Sequence, residues 1–362
     1  KREAKRHFNL GERYFAENRY RSAAAAYQKS ALLLPSMCAH LNLGVALCYG
    51  SSFERAIDAF HIGLPIARRS KDERMMSAFY CSLGVPHRER GNLAEALSCF
   101  KQAYAIAGKM NDMVGQACGH GNLGSLFLLQ GRADEALKPW QIALENFEKS
   151  DNHAGFAVAL DNMGAVFGAR KEYKRALVSH RRALKIYRRI ENLPGETHAL
   201  LNIGFTCLKL GKKRKSLKIS RKALKRAGSL NSALDRARAH GNISLVHEKR
   251  GKLKEAYHSA KKALELYEQA GNPLGAAQQL VTMGTVFTLL QNRGEALKKL
   301  GEARSRFLQC GLSGDKVEAA IELALRDTRN IKVRRSPKEF LRSLFKGDQA
   351  LQASVVRQGK QT

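Results

Sequence analysis

Seven cysteines and eleven histidines are the side chains of this sequence best suited to metal binding or nucleophilic attack. The cysteines are Cys38, Cys48, Cys81, Cys99, Cys118, Cys207 and Cys310. No two form a CxxC pair, and their spacing matches no zinc framework. They read as reduced, small core residues, which points to a cytosolic or nuclear compartment. His120 and His240 recur in one column of a repeat, but in different units, too far apart to share a metal. There is no phosphate-binding loop, nucleophile elbow or HExxH helix. The sequence therefore predicts no catalytic residue, no metal site and no cofactor.

Asparagine offers a different chemistry, because its amide both donates and accepts. Asn9, Asn42, Asn122, Asn162, Asn202 and Asn242 share one repeating column with Ser82 and Thr282. Asparagine is a mediocre helix former, so propensity does not place it there. A ladder of amides suits the backbone of an extended peptide. It equally suits hydrogen bonds that tie neighbouring units together.

Lysine and arginine form the third group. The formal net charge is +31, which predicts attraction to something acidic. Residues 170–262 hold 27 Lys/Arg against 6 Asp/Glu. The densest part comprises Lys212, Lys213, Arg214, Lys215, Lys218, Arg221, Lys222, Lys225 and Arg226. One reading is a solvated helix face. The other is a contact surface, favoured because acids at i,i+4 are missing. Acidic protein tails, anionic lipid and the phosphates of nucleic acid all fit it. Base stacking would want exposed aromatics there. Only Tyr173 and Tyr187 are present, and Tyr187 is expected in the core.

These residues are positioned by a repeat. From Gly44, steps of forty residues reach Gly84, Gly124, Gly164, Gly204, Ser244 and Gly284. An aliphatic residue precedes each one. Twelve residues on stand Ala56, Ala96, Ala136, Ala176, Ser216, Ala256 and Ala296. Nineteen on stand Gly63, Ala103, Ala143, Ala183, Ala223, Ala263 and Ala303. A shorter unit lies upstream around Gly11. Residues His120 to Leu129 read as one helix, Gly131 as a break and Ala133 to Phe147 as a second helix. Small residues let paired helices approach closely. Asp151-Asn152, Glu191-Asn192 and Gly271-Asn272 read as turn and N-cap pairs between units. One hairpin cannot bury its apolar face, so the pairs must stack. Pro65, Pro86 and Pro139 fall inside the expected helices and predict kinks or shortening there.

These columns resemble the tetratricopeptide repeat. Its aromatic column, sixteen residues after the small one, reads Tyr27, Phe60, Phe100 and Trp140, then weakens to His180, Ser220, Ala260 and Leu300. The forty-residue unit with Asn-x-Gly is similar to the subgroup of Pins/LGN-type adaptors. The resemblance implies an all-α, right-handed superhelical solenoid of stacked antiparallel helix pairs, and a protein-binding role. It assigns residues 1–35 to a first unit and 36–313 to seven further units. Residues 314–330 would form a capping helix, and 331–362 a basic tail with a short amphipathic stretch at Phe340–Phe345. That tail lacks the Asp-Gln-Arg triplet of the GoLoco motif that follows the repeats in Pins-type adaptors.

Helical geometry places the asparagine column on the face away from the paired helix, where it should line a concave groove. The first half of that groove offers Cys38, Val45, Tyr49, Cys118, Leu129 and Val158. The second half offers His198, Phe205, Lys209, Arg238 and Lys249. The expected ligand is an extended peptide, apolar at one end and acidic at the other. The carboxylate clamp of Hsp70/Hsp90 tail receptors needs cations where Phe8, Leu41, Cys81, Gly121 and Asp161 stand. It needs asparagines where Glu12, Val45, Val85, Ser125 and Ala165 stand, so that role is not expected. No run of about 18 apolar residues predicts a membrane span. No signal peptide is visible, and the first residue is Lys1 rather than methionine, which leaves room for an upstream segment. A cytoplasmic, non-enzymatic scaffold is the resulting expectation, with nucleic-acid association through the basic region as the alternative.

Overall fold

The computed structural model describes residues 1–310 together with Leu312 and Glu318. The described residues form sixteen helices and no strand. The first pairs are α1 (Arg2–Ala16) with α2 (Tyr20–Leu33), α3 (Met37–Tyr49) with α4 (Phe53–Arg69), α5 (Glu73–Glu89) with α6 (Leu93–Lys109), and α7 (Met113–Leu129) with α8 (Ala133–Lys149). They continue as α9 (His153–Ala169) with α10 (Tyr173–Arg189), α11 (Leu193–Lys209) with α12 (Lys213–Ser229), α13 (Ala233–Lys249) with α14 (Leu253–Gln269), and α15 (Pro273–Leu289) with α16 (Arg293–Gln309). Each helix packs on the next in chain order, giving an all-α solenoid. The capping helix expected at 314–330, Glu318 apart, and the tail at 331–362 lie outside the described residues.

The period has a local cause. Every helix from α4 to α16 has 17 residues, about 25 Å, and three residues separate it from the next. The middle residue of the turn is left-handed, as in Gly91 (φ 84°) and Gly131 (φ 82°). The residue after it caps the following helix. Asp72, Asp112, Asn152, Asn192, Ser232 and Asn272 each accept a backbone N–H of the odd-numbered helix they precede. Two helix-and-turn units make forty residues.

The seam within each pair is built as the columns predict. A Cβ placed on Gly44 would lie 2.3 Å from the Phe60 ring, and one on Gly84 would lie 2.3 Å from the Phe100 ring. Both rings are fully buried. The absent side chain is what lets the ring in. The prolines correct the expected shortening. The helices carrying Pro65, Pro86 and Pro139 keep the full 17 residues and are not shortened. Stacking on both sides outweighs the local cost of a proline.

Consecutive odd-numbered helices touch one another from α3 through α15, whereas the even-numbered ones make no comparable contact. The odd helices therefore line the inside of the curve, and the even helices splay on the outside. The solenoid also coils back on itself. Asn272 Nδ2 donates to Glu89 Oε2 at 2.9 Å across 183 residues of chain. Beside this bond Leu93, Leu126, Leu274 and Cys310 form one apolar cluster, with Phe307 and Leu312 against it. Gly91 lets the backbone approach Cys310 closely. This closure joins distant repeats rather than neighbours. Leu274→Asp should therefore open it without unfolding the units. Small-angle scattering should show a larger radius at unchanged helical circular dichroism, and an unchanged radius would refute the closure.

Candidate functional site

The inner face carries the residues singled out for the groove. Tyr49, Val158 and Phe205 are among the few exposed large apolar side chains. Val158 and Phe205 stand on α9 and α11, while Tyr49, at the end of α3, stacks on Tyr20 and meets the edge of Phe15 in the preceding pair. The asparagines on this face have definite partners. Asn42 Nδ2 donates to Glu12 Oε1 at 2.7 Å, and Asn122 Nδ2 lies 3.9 Å from Cys81 Sγ. Asn202 Nδ2 donates to Asp161 Oδ2 and Asn242 Nδ2 to the Leu201 carbonyl, both at 2.9 Å. Each of these reaches the preceding inner helix. Asn162 instead donates to Val158 O on its own helix, also at 2.9 Å. A carboxylate and a carbonyl can only accept, which fixes the orientation of the Asn202 and Asn242 amides. Their side-chain oxygens accept no hydrogen bond among the described residues.

The cations of the second half are arranged unevenly. His198 Nε2 lies 3.0 Å from Asp235 Oδ1, and Arg238 Nη1 lies 4.0 Å from the same oxygen. The Asp235 side chain is 7% exposed, against 47% for His198 and 41% for Arg238. Lys249 pairs with Glu248 at 2.9 Å. Lys209 has no carboxylate within 4 Å among the described residues. Its ammonium sits 5.2 Å from the centre of the Phe205 ring, a cation–π contact.

Curvature brings further groups to this inner face. The Glu89 carboxylate is opposed by burial, yet Arg88, Arg238 and His198 hold it below the ordinary carboxylate range. Burial pushes the Tyr20 and Tyr49 hydroxyls up, and Asp235 adds to both shifts. Tyr267 is pushed up to about 12, mostly by burial. Glu89, Asp235 and Glu248 were not anticipated, because an acid near a helix end carries no sequence signal of where the superhelix will aim it.

Asp235 shows which effect wins. Burial alone would raise its pKa, but His198, Arg238 and the Ser232 hydroxyl lower it to about 2. Asp235 in turn raises the His198 pKa, against the smaller opposing effect of burial. The pair therefore stabilises the fold fully only while both groups are charged. The carboxylate's share is lost as pH falls from the ordinary Asp range towards 2. The imidazolium's share is present below the ordinary histidine value and lost as pH rises through the raised one. A proton NMR titration should place His198 above about 6.5, and Asp235→Asn should bring it down. No change on that substitution would refute the coupling.

Other groups are structural. Cys48 and Cys81 are pushed up to about 12 by burial, which suppresses the thiolate. No group of three His, Cys, Asp or Glu residues could hold a metal among the described residues. No described helix is long and apolar enough to cross a membrane.

The basic residues lie on the outer helices. Lys212, Lys213, Arg214, Lys215, Lys218, Arg221, Lys222 and Lys225 are exposed. Two members of this group are already engaged. Arg226 Nη2 pairs at 3.3 Å with the buried Glu196, which Arg188 also meets at 3.1 Å. Lys213 Nζ donates to the Lys249 carbonyl at 2.5 Å, at the end of α13. Lys212, Lys213, Arg214, Lys215 and Arg250 surround a basic hollow of about 570 Å³.

Residues 115–189 and 157–229 match one tetratricopeptide repeat family, and residues 237–269 match another. No curated protein is significantly similar in sequence. Among solved structures, a Rap protein complexed with competence and sporulation factor superposes with TM-score 0.56 at 15% identity, covering 99% of each chain. The apo form of RapI superposes with TM-score 0.57 at 16% identity, covering 74% of this chain and 98% of that one. The Rap conjugation gene regulator of plasmid pLS20, in complex with the Phr* peptide, does so with TM-score 0.56 at 18% identity over 73% of each chain. Repeat matches, helix pairing and overall shape agree: the chain carries tetratricopeptide repeats and folds as a solenoid of the protein-binding, scaffold type.

Proposed function

We propose that the protein is a non-enzymatic interaction scaffold whose inner chamber binds an extended, partly acidic peptide. The observation that carries this reading is Lys209, a cation without a carboxylate partner, beside the exposed ring of Phe205. An acidic side chain or terminus would pair with the ammonium while an apolar neighbour covers the ring. The free amide oxygens of Asn202 and Asn242 would accept N–H groups of the peptide backbone. In this way one edge of each amide ties the repeats and the other holds the ligand. Arg238, His198 and Lys249 already face acids of the chain itself, so they tune the chamber more than they capture charge. Two of the similar structures are complexes, one with competence and sporulation factor and one with the Phr* peptide, which supports a peptide in the same kind of solenoid. The forty-residue unit keeps the reading of a Pins/LGN-like adaptor open to the same test. The basic outer face is a second contact surface, for an acidic partner.

Random peptides displayed on phage should be enriched on the purified protein for an acidic residue next to apolar ones. The variant Phe205→Ala with Lys209→Glu should lose those peptides. Equal binding by wild type and variant would remove the chamber from the proposal.

A further inference from the structure

We infer that the outer face of α10, α12 and α14 binds duplex nucleic acid through its phosphates. The inference rests on reading that face as a contact surface and names its partner. Arg181, Arg221 and Lys261 stand at equivalent positions of three successive outer helices, and Arg182, Lys222 and Lys262 form the rung beside them. All six are exposed. Among the described residues, no carboxylate lies within 4 Å of any of them. Some acids of this segment are drawn elsewhere, while Glu191, Glu255 and Glu265 stay exposed. Glu196, Asp235 and Glu248 are buried, and Glu172 is held by Arg170 and Arg175. The fold thus leaves the rung cations in water without a carboxylate partner among the described residues.

Size and shape choose the partner. Three outer helices, each about 10 Å across and splayed apart from one another, spread the rungs over at least about 20 Å. A duplex carries one charge per about 1.7 Å of axis, so that length presents on the order of a dozen phosphates, half of them facing the protein. That matches the rungs in number, and arginine suits phosphate with its fork of donors. Single strands are favoured by exposed aromatics on which bases stack. Tyr173 is half-buried, and Tyr187 and Tyr257 are buried. A membrane is a poorer fit. The apolar faces of these helices are used inside the solenoid, Val178 is the one exposed large apolar side chain on them among the described residues, and a plane meets only the crest of a convex surface. Acidic proteins lack the condensed counterions whose release drives phosphate binding.

The test is fluorescence anisotropy of the whole chain with a labelled duplex of about 24 base pairs, long enough to cross the face, titrated between about 50 and 250 mM salt. Binding should be micromolar and insensitive to sequence, with a log–log salt slope near about −5 for about six phosphate contacts. The variant Arg221→Gln with Lys222→Gln should bind about tenfold more weakly and flatten the slope by about 2. Circular dichroism melting checks that it folds, and Phe205→Ala with Lys209→Glu should bind the duplex like wild type. Absence of duplex binding at the lowest salt, or a variant that binds like wild type, overturns the inference. If polyglutamate or phosphatidylserine vesicles bind and duplex does not, the inference falls while the contact-surface reading stands. If none of the three binds, both fall. Neither result touches the peptide chamber.

Discussion

Replacing His180 with phenylalanine is expected to destabilise the fold by about 3–5 kcal/mol, although phenylalanine fills that column in two earlier units. His180 stands sixteen residues after Gly164, where Phe60 and Phe100 stand in earlier units. It is 2% exposed, and its Nδ1 lies 2.6 Å from Asp161 Oδ1. The other oxygen of Asp161 accepts from Asn202. A phenyl ring would fill the space but leave a buried carboxylate with one amide as its remaining partner. The double variant His180→Phe with Asp161→Leu removes both polar partners together. It should recover most of the loss, because replacing a buried pair by packed apolar groups is often near neutral. Chemical denaturation of the two variants and of Asp161→Leu alone completes the cycle. Equal losses for His180→Phe and the double variant would show that packing, not the polar contact between the two side chains, governs the site. Asn202 belongs to the same network, so an Asn202→Ala variant tests stability as well as ligand contact.

The small-residue column should respond to alanine for different reasons, and to different extents, at two of its positions. Gly44→Ala should destabilise by about 1–3 kcal/mol, because the new methyl meets a fully buried Phe60 that has nowhere to move. Ser244→Ala, in the same column two hundred residues on, should cost no more than about 1.5 kcal/mol. There the facing residue is Ala260, and the added bulk of a serine is already accommodated. The serine hydroxyl donates to the Ala256 carbonyl at 2.6 Å, and that bond is what alanine removes. The chain itself thus pairs a large ring with glycine and a small alanine with serine. Thermal or urea unfolding of both variants decides the matter. Similar losses at the two positions would mean that the seam is set by backbone geometry rather than by side-chain volume.

Much of the architecture was legible before any coordinates. Gly44, Gly84 and Gly124 named the seam, because only a missing side chain admits the ring that a following helix delivers. Asn152, Asn192 and Asn272 named helix starts, because a cap acts within one turn of its own position. The two faces of the inner helices followed from the pitch of the helix. Such features are local or repeat at fixed intervals, and a sequence states local and periodic constraints directly. The prolines show the limit of that reasoning, since the propensity of Pro65, Pro86 and Pro139 was overruled by stacking on both sides.

What the sequence left open was everything set by curvature. The pairing of Asp161 with His180 and Asn202 joins two columns that were read separately. The bond from Asn272 to Glu89, and the meeting of Glu89, His198, Asp235 and Arg238 in one chamber, depend on the small rotation added at each repeat. No single unit encodes that rotation. It accumulates over five repeats and decides which distant side chains share a space. The sequence by itself determined the unit, its seam, its caps and which face of each helix would carry polar groups, because these are settled within one or two turns of chain. The tertiary structure alone decided which groove cations already face acids, that Lys209 is left free beside Phe205, and that the outer cations stand clear of the acids, because those outcomes depend on where the stacked units finally bring one another.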